Sequence, residues 1–220
     1  MSGLTDNLDS IANRIRQTFS SRDAAREKVM PLCRETIRHC GNAIRAIHRQ
    51  EFDQAAKLLK SARSRLAEVE PGISGYGELG SAGFVRDAQK EFAEASVTLA
   101  LVTGNRLPDP DELGVDAAAY LNGMGEAVGE LRRYLLDSMR QGDLSRGEEL
   151  LSAMDDIYDT LVTMDFPDAI TGGLRHTTDM FRGVLEKTRS DLTLAMEQKE
   201  LGDKLADFSR GKRRKGTGSG

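Results

Sequence analysis

The sequence predicts an all-α fold, a single-domain bundle of about six to seven helices, and three observations carry that prediction. Apolar residues recur at intervals of three and four over most of the chain, the period of one helix face. Charged residues make up 30% and aromatic residues 5%, with no Trp, a composition suited to long charged helices rather than to the β-branched and aromatic surfaces of sheets. Proline and glycine clusters punctuate the periodic stretches at intervals that suit helices. At 220 residues the chain is long enough for one substantial core.

The first helix is expected over Leu8 to Gln50, where Met30, Cys33, Ile37, Cys40, Ile44 and Ile47 form a heptad-like seam. Pro31 is expected to kink this helix or to divide it in two. The second runs over Phe52 to Val69 and stops before Pro71 and a glycine-rich loop. The loop spells GxGxxG across Gly75, Gly77 and Gly80. With no strand before it and no parallel sheet legible, a dinucleotide site lacks its required context. The third helix spans Ala82 to Val102, the fourth Asp116 to Arg140 and the fifth Arg146 to Thr163. A last helix runs over Leu174 to Phe208, and residues 209–220 read as a basic, glycine-rich disordered tail. The folded domain is therefore expected over residues 1–208.

The net charge of −4 argues mildly against an open nucleic-acid-binding surface, but leaves room for an enclosed basic one. Cys33 and Cys40 lie two helical turns apart, roughly 10 Å along the axis, too far for a disulfide. They read as reduced thiols, and with no signal-like or membrane-spanning segment the expected location is cytoplasmic. Cys33, His39 and Cys40 offer three zinc-type ligands without a convincing fourth, and both thiols belong to the apolar seam. His48 and His176 read as isolated histidines.

Two carboxylate couples stand out. Asp87, Glu91 and Glu94 share one face of the third helix. Glu126 and Glu130 lie one turn apart on the fourth, among Gly123, Gly125 and Gly129. Each helical glycine costs roughly 1 kcal/mol relative to Ala, so three together imply close approach by a neighbour. Carboxylates on two closely packed helices would converge, and converging carboxylates must hold protons or a cation. An oxygen-only ligand set suits Mg²⁺, with Mn²⁺ as the alternative. Arg34, Arg38, Arg45 and Arg49 step by four, seven and four to form a basic stripe on the first helix that could track a phosphate backbone, and Arg86 and Lys90 add positive charge beside the acidic face.

The run from Lys90 to Ala95 resembles the first motif of translin-associated factor X, in the translin family. Tyr120-Leu121-Asn122-Gly123, followed by Gly129-Glu130-Leu131-Arg132, resembles its second. The Gly142-Asp143 turn, Asp156 to Asp159, and the stretch from Arg26 to Glu35 fall in the same order and spacing. The resemblance extends from about Ser20 to Leu205. It implies a translin-like helical fold, in a prokaryotic or archaeal member, that assembles into a closed octamer holding RNA or single-stranded DNA inside. For the factor-X branch it implies a Mg²⁺-dependent endoribonuclease, with Glu91, Glu94, Glu126 and Glu130 as catalytic metal ligands. Glu126 stands where the family has an aspartate, one methylene shorter. The arginine- and histidine-rich aromatic patch of the translin branch is missing before Glu91, which favours the catalytic branch over a noncatalytic binder. A homo-octamer would then both bind and cut, unless a second, translin-like subunit joins it.

Overall fold

The structure, a computed structural model, describes residues 3–216. Its helices are α1 (Leu8–His48), α2 (Phe52–Ala67), α3 (Val69–Ile73), α4 (Gly77–Gly80), α5 (Gly83–Val102), α6 (Pro110–Leu113), α7 (Ala117–Arg140), α8 (Gly147–Val162), α9 (Asp168–Thr171) and α10 (Leu174–Gly216). No strand occurs among the described residues. The six helices expected from periodicity are all present, joined by four more of four or five residues each.

One local expectation is narrowed and two are corrected. Of the two outcomes expected at Pro31, division does not occur: α1 continues through it for 41 residues. Val29 and Cys33 are buried on either side, so packing offsets the lost backbone hydrogen bond. The glycine-rich loop is partly helical, as α3 takes in Pro71 and α4 takes in Gly77 to Gly80. The last helix does not stop at Phe208 but extends to Gly216, through residues read as the start of the tail. Past Phe208 the Ser209 hydroxyl donates to the Leu205 carbonyl one turn back, within the continuing helix. Residues 217–220 lie outside the described residues.

The long helices pack in sequence across the bundle. Helix α1 lies against α2 and α5, α5 lies between α1 and α7, and α10 closes over α7 and α8. One continuous core results, with Cys33, Cys40, Ile47, Phe92, Val97, Val128, Leu131, Leu150, Met154 and Leu192 all buried. The N-terminus of α7 is fixed by Asp116, whose side chain accepts from the Ala118 and Ala119 amides. Before it, α6 carries a capping box between Asp109 and Glu112, Pro110 in its first turn, and Gly114 in the left-handed region after its end. Tyr120 donates its hydroxyl to the Pro108 carbonyl at 2.8 Å, tying α7 to that connection. These anchors set the register of α7 against α5, which decides where the carboxylates meet.

Candidate metal centre

Close approach of α7 to α5 is written at Gly123. A Cβ there would stand 2.4 Å from the Lys90 carbonyl oxygen, 2.8 Å from Ala93 Cβ and 2.9 Å from the Glu94 amide nitrogen. The missing side chain lets the two backbones touch beside the Glu91/Glu94 face. Gly125 makes room on the other side for side chains, with Phe181, Thr177 and Leu161 in the space a Cβ would need. Gly129 departs from the expectation: it is exposed, no described residue lies within 4 Å of the place a Cβ would take, and nothing in the structure explains it.

With the helices this close, Glu91 and Glu94 of α5 and Glu126 of α7 each bring a carboxylate oxygen within 4.8 Å of the other two. All three are partly buried. Burial, then the neighbouring Glu91, Glu126 and Glu130, push the Glu94 carboxyl up to about 8. Burial also raises Glu91, and Glu126, Asp87 and Glu130 add to the rise while Lys90 opposes it. Three carboxylates sharing a partly dehydrated space repel one another, and a proton or a cation relieves that repulsion. Their hard oxygen donors and spacing fit Mg²⁺ or Mn²⁺.

Glu130 is placed differently. Its Oε2 lies 2.5 Å from His48 Nε2 at the C-terminal end of α1, and Arg133 Nη1 approaches the same oxygen at 3.9 Å. The His48 side chain is only 6% exposed. Its sequence neighbours gave no hint of this, because the partner lies 82 residues away. His48 is thus no isolated histidine. Lys90 likewise reaches between helices: its ammonium donates to Glu126 Oε1 at 2.7 Å. Burial works against the Lys90 charge, but Glu126, Glu91 and Asp87 outweigh it and hold the proton more tightly than usual.

Cys40 lies on the α1 side of the cluster. Burial, then Glu91 and Glu94, push its thiol far up, so it stays protonated. Burial raises Cys33 to about 11. Both thiols are free and buried, as the apolar seam implied.

The basic residues fall in two groups. Arg34, Arg38 and Arg45 are exposed along α1, and Arg49 is exposed just past its C-terminal end. Arg38 lies 4.0 Å from Glu35, Arg45 donates to Asn42 and Arg49 to Glu51. Arg45 and His48 are three residues apart, so the stripe borders the face that meets Glu130. Arg86 and Lys90 line a groove of about 330 Å³ beside Glu126, together with Asp87, Asn122 and His176. Two larger hollows, about 650 Å³ each, lie elsewhere on the molecule and contain none of the four glutamates. The second-motif residue Asn122 is structural: it donates to the Ala118 and Thr171 carbonyls and accepts from Thr177. Arg132 is structural too, binding Thr188 at 2.9 Å and Asp191 at 2.7 Å on α10.

No protein-family model matches the chain. An uncharacterised protein of Methanocaldococcus jannaschii is 28% identical over 205 residues, which cover 91% of this chain and 87% of that one. Two solved structures of AfC3PO, one of them a complex with duplex RNA, superpose with a TM-score of 0.75 at 33% identity, covering 85% of this chain and 97% of theirs. Apo-NeC3PO superposes with a TM-score of 0.74 over 88% of this chain and all of its own, at 18% identity, a likeness of fold. One-third identity over nearly the whole of AfC3PO, together with the shared bundle, places this chain in the translin-like C3PO family.

Proposed function

We propose that this protein is a Mg²⁺-dependent endoribonuclease of the factor-X branch, active as a hollow homo-octamer in the cytoplasm. The observation that carries this reading is the convergence of Glu91, Glu94 and Glu126 at the α5–α7 contact, with Glu94 held up to about 8. A structural carboxylate face would be expected to spread into solvent, where mutual repulsion is weak. Here the fold forces three of them together. Glu91, Glu94 and Glu126 would hold the ion, which supplies Lewis-acid stabilisation of phosphodiester charge and a more acidic water. Lys90 neutralises part of the charge on Glu126 and, with Arg86, faces the groove where an RNA phosphate would lie.

Substrate and assembly rest on further support. AfC3PO has been solved with duplex RNA, which makes single-stranded or partly duplex RNA the first candidate ligand, with single-stranded DNA next. The basic stripe on α1 would track its backbone from the inner wall of the assembly. Exposed apolar residues sit near both ends of the chain, Ile15 and Phe19 on α1 and Leu194, Leu201 and Leu205 on α10, and packing between copies would cover them. A second, translin-like subunit could replace some of those copies.

One observation favours a noncatalytic RNA- or DNA-binding oligomer instead: Glu126 and Glu130 each already have a cationic or imidazole partner. Cleavage of a labelled RNA with Mg²⁺ and with EDTA separates the two. The enzyme reading expects EDTA-sensitive cutting that Glu91→Gln lowers at least about 100-fold. Tight RNA binding without cutting supports the binder.

A further inference from the structure

The four glutamates divide into two functional sets. Glu91, Glu94 and Glu126 converge, whereas Glu130 is outside that set and is committed through Oε2 to His48 and Arg133. His48 comes from α1, a helix that contributes none of the carboxylates, and its ring is almost wholly enclosed. Among the described residues its Nδ1 is buried with no hydrogen-bond partner, and the bond to Glu130 is the one polar commitment this imidazole makes there. Leaving the other ring nitrogen buried and unpaired is unfavourable and costs stability. A fold that tolerates that cost fixes the Glu130 carboxylate in one orientation. At 6% exposure the imidazole itself does not reach a bound RNA.

We infer that Glu130 is not a metal chelator but a carboxylate aimed by His48, with its second oxygen left as an oriented acceptor for the attacking water. His48 is accordingly a positioning residue, acting through Glu130. The inference rests on the nuclease reading above, and it reassigns one of the four residues that the family resemblance treats alike. The balance of the step is simple. The water oxygen forms the new bond to phosphorus while its proton passes to Glu130, the bond from phosphorus to the ribose oxygen breaks, and that oxygen leaves with the bonding pair and takes a proton from solvent.

The test compares Mn²⁺ binding, measured by titration calorimetry or electron paramagnetic resonance, with RNA cleavage in the same preparations. Glu94→Gln is expected to weaken Mn²⁺ at least about tenfold. Glu130→Gln and His48→Leu are expected to leave Mn²⁺ affinity within about threefold while lowering kcat about 10- to 100-fold, with KM little changed. His48→Gln, whose amide can still donate to Glu130, should recover most of that loss, which a purely structural role would not require. Circular dichroism melts identify any variant that fails to fold, and Glu130→Gln, which keeps the side chain's size, then decides the case. Loss of Mn²⁺ affinity in Glu130→Gln equal to that in Glu94→Gln overturns the inference, as does full activity in His48→Leu. A wild-type protein that binds no Mn²⁺ and cuts no RNA overturns the nuclease reading itself, and the inference with it.

Discussion

Glu94 is the residue on which the electrostatics of the cluster concentrate. Its carboxyl is held up to about 8, first by burial and then by three other glutamates. In the unfolded chain it would titrate near the ordinary 4.5. Below that value it is protonated in both states. Between the two values the folded state binds a proton that the unfolded state has lost, so stability falls as pH rises through this window. Above about 8 the folded state carries the full repulsion. The metal-free protein is therefore expected to melt several degrees lower at pH 8.5 than at pH 5, as read by calorimetry. Glu94→Gln should flatten that profile, and Mg²⁺ or Mn²⁺ should restore the alkaline melting temperature. A profile in the wild type as flat as in the variant would contradict this assignment. Only the contribution of Glu91 was legible from the spacing of Glu91 and Glu94, because burial and the α7 carboxylates supply the rest.

At the scale of elements, the α5–α7 contact decides whether the site exists. Gly123 touches backbone atoms of α5, which cannot rotate away as a flexible side chain can. Gly123→Ala gains roughly 1 kcal/mol of helix propensity but must push the helices apart, for a net loss of about 1–3 kcal/mol. Gly129→Ala meets open space and should be neutral or stabilising by up to about 1 kcal/mol. Urea denaturation of the two variants tests the contrast directly, and Mn²⁺ affinity should fall with Gly123→Ala alone. The three glycines look equivalent in sequence. One contacts α5, one contacts α8 and α10, and one contacts nothing, a distinction set by their angular positions on a packed helix. The same holds for Pro31: a residue that reads as a break is carried inside a 41-residue helix because packing on both sides outweighs its cost.

For the whole molecule, the exposed leucines of α10 are the main unmet demand. Leu194, Leu201 and Leu205 are 55–58% exposed and share one face at intervals of seven and four. With Ile15 and Phe19 on α1 they leave apolar surface near both termini. Light scattering is expected to give a mass about eight times the 24.1 kDa chain. Leu201→Glu should shift it toward smaller species, since a charge buried at a subunit contact is strongly disfavoured. A monomer at micromolar concentration would remove the closed octamer from the reading.

Local periodicity and composition were enough to establish an all-helical chain, the six long helices to within two residues except at the C-terminal end of the last, and the two faces that carry carboxylates. Those features depend on neighbours three and four residues apart, which any sequence displays. The tertiary structure decided which carboxylates meet: Glu91, Glu94 and Glu126 converge, and Glu130 turns to His48. It also decided that Lys90 spans to Glu126 and that Asn122 and Arg132 serve the scaffold. These pairings join residues 36 to 82 positions apart, and the register of packed helices alone brings them within reach.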